Sequence, residues 1–190
     1  MFALARQVGV LYERVAPAGA LMINKQLKVG DPAPQAVVMS ITGREIQVGH
    51  ATDKGQLLFF LAPDCPICKT LLPVLKTMQR AERGREILLL SDGNDEEEHQ
   101  KFVSSEKLEQ FDYALSEVVG RSYGVSKLPY GVLVNSEGKI SSLGIVNSRE
   151  HLESLFEAER MHVASIQEYL QQADEGSKAD VVQQYDSTRR

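Results

Sequence analysis

Two cysteines occur in the 190 residues, and they stand together as Cys65-Pro66-Ile67-Cys68. Scattered at random, two positions would take that separation about once in a hundred sequences, so the pair is chosen for its spacing. The flanks say where it sits. Leu57 to Leu61 is a continuous apolar run, the pattern of a strand buried on both faces. After it, Ile67, Leu71, Leu72, Leu75 and Met78 repeat at helical intervals and are expected to share the inward face. Cys65 therefore falls where a buried strand gives way to a helix start, and the free backbone N–H groups there favour a thiolate, the attacking species. Pro66 suits the first helical turn, where its missing N–H costs nothing. Lys69, one turn beyond Cys65, adds positive potential. The spacing puts both sulfurs on one face of that turn. Cys65 can attack a partner's disulfide, and Cys68, held close, can resolve the mixed disulfide. Three other readings stay open: a buried inert pair, half of a zinc site, or a copper carrier that needs only two thiolates. Zinc would have to recruit from His50, His99, His151 and His162, which are scattered and none near the motif.

The elements that must position the pair follow from periodicity. Ala36 to Val48 reads as a hairpin turning at Thr42-Gly43-Arg44, and Glu86 to Leu90 as a second buried strand closed by Ser91-Asp92-Gly93. Glu96 to Leu108 reads as a helix, Phe111 to Leu115 as a short strand and Glu117 to Tyr123 as a short helix. Tyr130 to Asn135 and Ile140 to Val146 form a hairpin, and Arg149 to Met161 a closing helix with Leu152, Leu155 and Phe156 inward. Strands alternating with helices predict an α/β fold around a mostly parallel sheet, with the last hairpin as an antiparallel edge. In front stands an amphipathic helix over Phe2 to Val15, and behind, Val163 to Leu170 could form one more short helix before a polar tail read as disordered.

Composition excludes several functions. The net charge is −5 and no basic run is long enough to track phosphates, so nucleic acid is not a partner. The run Asp95-Glu96-Glu97-Glu98 reads as a solvated first helical turn. The longest apolar stretch, Leu57 to Pro63, falls far short of the ~20 residues of a membrane span, and no secretory leader is legible.

With these residues in place, the chain resembles the thioredoxin superfamily. The resemblance rests on Cys65-Pro66-Ile67-Cys68 after a buried strand, on Pro73 inside the following helix, and on Lys127-Leu128-Pro129-Tyr130 before the strand Tyr130–Asn135. It implies a thioredoxin-like fold, a central mixed sheet flanked by helices, here with an N-terminal hairpin and an extra N-terminal helix. It also implies that Pro129 is cis and packs against the redox pair, with Leu128 before it as a supporting residue. Val29-Gly30-Asp31-Pro32-Ala33-Pro34 narrows the likeness to the redoxin-type, TlpA-like periplasmic branch.

A closer resemblance covers almost the whole chain. Ala5-Arg6-Gln7-Val8-Gly9-Val10-Leu11, Ala16-Pro17-Ala18-Gly19-Ala20-Leu21 and Ala62 through Pro73 are similar to the MauD family of methylamine dehydrogenase accessory proteins. That implies residues 1–27 as a helix and linker next to a membrane anchor, 28–162 as the thioredoxin-like domain, and 163–190 as a short helix and tail. It further implies a periplasmic protein, membrane-anchored in its full-length form, with the anchor absent here unless the chain is a soluble relative.

What the resemblance implies for function is a thiol–disulfide oxidoreductase or isomerase that forms or reshuffles disulfides in the small subunit of methylamine dehydrogenase. A membrane or soluble redox partner would recharge it, and it needs no cofactor beyond the Cys65–Cys68 disulfide and no metal. The alternatives are a general periplasmic reductase of the cytochrome c maturation type, or a non-enzymatic scaffold for a client or metal. The sequence departs from the family pattern at the proton-relay acids. Phe59 stands where thioredoxins bury one, and Leu71 where the redoxin-type reductases carry a glutamate. Asp64 is left as a candidate by adjacency alone, and a surface turn is its plainer role.

Overall fold

The computed structural model describes residues 27–82, 85–93 and 95–161. The expected helix over Phe2–Val15, the short helix after Met161 and the polar tail lie outside them. Seven strands and four helices are described: β1 Ala36–Met39, β2 Glu45–Val48, β3 Gln56–Phe60, α1 Pro66–Ala81, β4 Glu86–Ser91, α2 Glu96–Ser105, β5 Asp112–Leu115, α3 Glu117–Ser122, β6 Tyr130–Val134, β7 Ile140–Ile145 and α4 Arg149–Arg160. None of these helices is long and apolar enough to cross a membrane.

The central sheet runs β5-β4-β3-β6-β7, and β1 and β2 form a separate hairpin. β3 pairs parallel with β4, and β4 with β5, while β6 is antiparallel to both β3 and β7. The sheet is thus the mixed one expected, with two of its four pairings antiparallel, where strand–helix alternation alone suggested a mostly parallel sheet. The register gives the reason. Tyr130 pairs with Phe60, so the chain re-enters the sheet at the end where β3 leaves it and must run back along it.

β3 is wholly buried because α1, α2 and α4 cover one face and the hairpin together with α3 the other. Leu57, Phe59 and Leu61 pack with Leu71, Leu72 and Leu75 of α1, Phe102 of α2 and Leu152 of α4. Leu58 and Phe60 pack with Ile46 and Val48 of β2 and Val119 of α3. The inward stripe of α1 is Cys68, Leu71, Leu72 and Leu75, an i, i+3, i+4, i+7 pattern. Ile67, expected inward, is instead 43% exposed, because Cys68 occupies that face. α2 ends at Ser105 rather than Leu108: Lys107 takes a left-handed φ of 55°, which turns Leu108 into the core. Asp95 caps α2 by accepting the Glu98 N–H at 3.0 Å, and the acids of the run are exposed in its first turn, which suits the helix dipole.

Candidate active site

β3 delivers the site. Leu61 donates its N–H to the Leu90 carbonyl at 3.0 Å and receives the Ser91 hydroxyl on its own carbonyl at 2.8 Å, so the chain is pinned as it leaves the sheet. Pro63 and Asp64 then turn, and Cys65 closes the turn by donating its N–H to Ala62 at 3.2 Å. Asp64 is exposed in that turn.

Cys65 is the N-cap of α1, in extended backbone, and Pro66 is the first helical residue. The Cys68 N–H donates to the Cys65 sulfur at 3.2 Å. The same two residues are joined as a disulfide, with Cα atoms 5.3 Å apart. Their environments differ. Cys65 is half-buried at the rim, while Cys68 is wholly buried in the core beneath α1. A partner sulfur can therefore reach Cys65, and Cys68 is shielded from anything but Cys65. The helix N-terminus gives the outer sulfur the Cys68 N–H, which favours a thiolate there once the bond is reduced.

Pro129 is buried, the Leu128–Pro129 peptide is cis, and the Pro129 carbonyl accepts the Val146 N–H at 3.0 Å. Leu128 is half-buried and packs against the core cluster that holds Cys68, as does Cys65. The Phe60–Tyr130 pairing brings this segment to the sheet end from which the cysteine loop leaves. Lys69 donates its N–H to the Cys65 carbonyl at 3.3 Å. Its ammonium lies over the Phe102 ring, 6.0 Å from the centroid. Pro73 stands inside α1, and its carbonyl accepts the Thr77 hydroxyl at 3.0 Å.

Phe59 and Leu71, at the two positions where related folds place an acid, are both buried among apolar neighbours. The histidines do not converge. His50 bonds the Val48 carbonyl, His99 the Tyr113 hydroxyl and His151 the Asn147 N–H, while His162 lies outside the described residues. Among the described residues no three metal-ligating side chains are grouped.

Sequence reasoning missed one polar group on the face beneath α1. His99 Nδ1 lies 2.7 Å from the Tyr113 hydroxyl, and both residues are buried. Burial pushes the Tyr113 phenol up to about 12, with the Ser91 hydroxyl acting in the opposite sense. Gly93 leaves room for the imidazole, since a Cβ there would meet Nε2 at 3.2 Å. The available signal was a histidine one turn before Phe102 on an otherwise acidic, polar helix.

Comparison with known proteins agrees with this geometry. Residues 53–140 match the thioredoxin-like family. The chain is 42% identical to the methylamine utilization protein MauD of Paracoccus versutus, over 90% of this chain and 85% of that protein. It is 41% identical to MauD of Methylorubrum extorquens, over 90% of this chain and 83% of that one. Among solved structures it is similar to the thioredoxin domain of a thiol-disulfide oxidoreductase from Bacteroides vulgatus. There the TM-score is 0.55 and the identity 26%, over 60% of this chain and 86% of that domain.

Proposed function

We propose a function from one premise: this chain belongs to the MauD family, has the thioredoxin-like fold, and is a thiol–disulfide oxidoreductase. Its task is to form or reshuffle disulfides in the small subunit of methylamine dehydrogenase as that enzyme matures. The work is done in the periplasm, with the Cys65–Cys68 disulfide as its only redox group and a separate redox partner to recharge it. The observation that carries the reading is the asymmetry of the pair: a half-exposed Cys65 capping α1 over a wholly buried Cys68.

The steps balance as two thiol exchanges. A client thiolate attacks the Cys65 sulfur, the Cys65–Cys68 bond breaks, and Cys68 leaves as a thiolate that takes up a proton. A second client thiolate then attacks the client sulfur of the mixed disulfide. The client's own disulfide forms, and Cys65 departs as a thiolate stabilised at the helix start. The client loses two electrons and the pair gains them. Run in reverse on a wrong bridge, the same steps reshuffle it. Pro66-Ile67 between the cysteines lacks the histidine of strongly oxidising relatives, so the expected potential lies between the reductants and the strong oxidants.

The test is equilibration of the pair with glutathione redox buffers, followed by incubation of the oxidised protein with reduced small subunit and a mass count of the bridges formed. A potential between about −120 and −200 mV with transfer to the subunit supports the reading. A potential near −270 mV or below, with exchange only on a haem-binding CxxCH peptide, overturns it in favour of a general reductase.

A further inference from the structure

α2 holds a stack that the exchange steps leave without a role. His99, 3% exposed, bonds the Tyr113 hydroxyl through Nδ1 at 2.7 Å. Tyr113 meets the ring of Phe102 edge-on, with centroids 6.3 Å apart. Phe102 is buried, and its ring carries the Lys69 ammonium at 6.0 Å. Lys69 lies on the first turns of α1 and donates its N–H to the Cys65 carbonyl. These contacts run from a buried imidazole to the helix turn whose N-cap is the reactive sulfur.

We propose that Phe102 is a positioning residue for the redox reaction: its ring, fixed by Tyr113 and His99, stations the Lys69 ammonium at the start of α1, where that charge favours the Cys65 thiolate. The inference rests on Cys65 being the attacking thiol. A lysine on an exposed helix surface has four rotatable bonds, and its charge spreads into water and counter-ions. A ring face within reach confines it, because the negative face of the π-system attracts a cation. The ring must itself be immobile for this to work, and a buried, hydrogen-bonded Tyr–His pair at its edge makes it so.

Asp92 and Glu98 act on Tyr113 from the β4 end and from α2, and Glu96 and Glu97 stand in the same first turn of α2. Lys101 pairs with Glu97 at 2.6 Å, yet among the described residues no carboxylate pairs with Lys69. A carboxylate partner would cancel the positive potential at the sulfur, whereas a ring leaves the charge whole.

The experiment is a double-mutant cycle read at the sulfur. The pH dependence of Cys65 thiolate absorbance and of its alkylation rate is measured in the reduced wild type, Lys69→Met, Phe102→Leu and the double variant, with Phe102→Tyr as the ring-keeping control. Lys69→Met and Phe102→Leu should each raise the Cys65 pKa by roughly half a unit. The double variant should rise no further than Lys69→Met alone, and Phe102→Tyr should stay at the wild-type value. If Phe102→Leu shifts nothing, or shifts Cys65 equally when Lys69 is already Met, the proposal is overturned. If wild-type Cys65 exchanges with no disulfide at all, the oxidoreductase reading fails instead, so the two failures are distinct.

Discussion

The sulfur of Cys65 accepts the backbone N–H of Cys68 at 3.2 Å, so the nucleophile is also the cap of the helix that carries its resolving partner. A cap satisfies one of the orphan donors at a helix start. The donor that stabilises the helix is therefore the same one that stabilises charge on the sulfur. Structure and reactivity at this turn are not separable by position, only by the chemistry of the capping atom.

That separation gives the first prediction. Serine is among the preferred N-caps and alanine is not, so two inactive variants should differ in stability. With Cys68→Ser in both backgrounds, Cys65→Ser should be more stable than Cys65→Ala by about 1 kcal/mol in urea denaturation, with equal slopes. Neither should exchange with a disulfide. Equal midpoints would mean that the cap contributes nothing to α1.

The unequal burial of the two sulfurs gives the second. Cys68 is 0% exposed, while Cys65 is half-buried at the rim. In the reduced protein, Cys65 should be alkylated faster than Cys68 by at least roughly tenfold, because Cys68 reacts only through local opening. Cys68→Ser should accumulate a stable mixed disulfide with a model substrate, and Cys65→Ser should form none. Comparable labelling of both sulfurs would contradict the assigned roles.

Gly49 gives the third. Its φ is +73°, in the left-handed region, and a Cβ there would run into the Pro34 carbonyl and meet the Tyr123 hydroxyl at 2.5 Å. That hydroxyl donates to the same Pro34 carbonyl at 2.8 Å, tying the end of α3 to the segment before β1. Backbone cannot retreat as a flexible side chain can. Gly49→Ala should therefore destabilise the protein by about 2 kcal/mol or more, while the Cys65–Cys68 potential stays unchanged. A melting midpoint within a degree or so of wild type would show that the Pro34 segment gives way freely.

Much of the site could be read from the sequence because its determinants are local. The cysteine spacing, the apolar run before it and the helical stripe after it lie within residues 57–78, and the structure keeps that order. Ile67 misled because hydrophobicity alone cannot choose between adjacent helix positions. The stripe 68, 71, 72, 75 is the better fit once cysteine is counted as a small hydrophobe. The antiparallel pairing of β6 with β3 and the His99–Tyr113 bond were not legible. Both join residues distant in the chain, through sheet order in one case and through a helix laid over the strands in the other. The histidine before Phe102 marked a position on α2, but its partner could not be named until the strand beneath that helix was known.

The buried phenol of Tyr113 allows a fourth prediction, in which the sign decides the experiment. Burial raises its pKa from 10.0 to about 12. A neutral acid held above its unfolded value binds its proton more tightly in the folded state. Its contribution is fully present below pH 10 and is lost as pH rises towards 12, since the unfolded chain ionises first. Two units correspond to about 2–3 kcal/mol at full expression. Burial raises the Tyr123 phenol as well, so Tyr113 accounts for only part of the alkaline loss. Tyr113→Phe removes the phenol and its bond to His99, so it should be less stable at neutral pH. Its stability should then fall less steeply than that of wild type between pH 10 and 12, so that the two curves converge. Parallel curves over that range would mean that the phenol ionises with an ordinary pKa and that water reaches the His99–Tyr113 pair in the folded state.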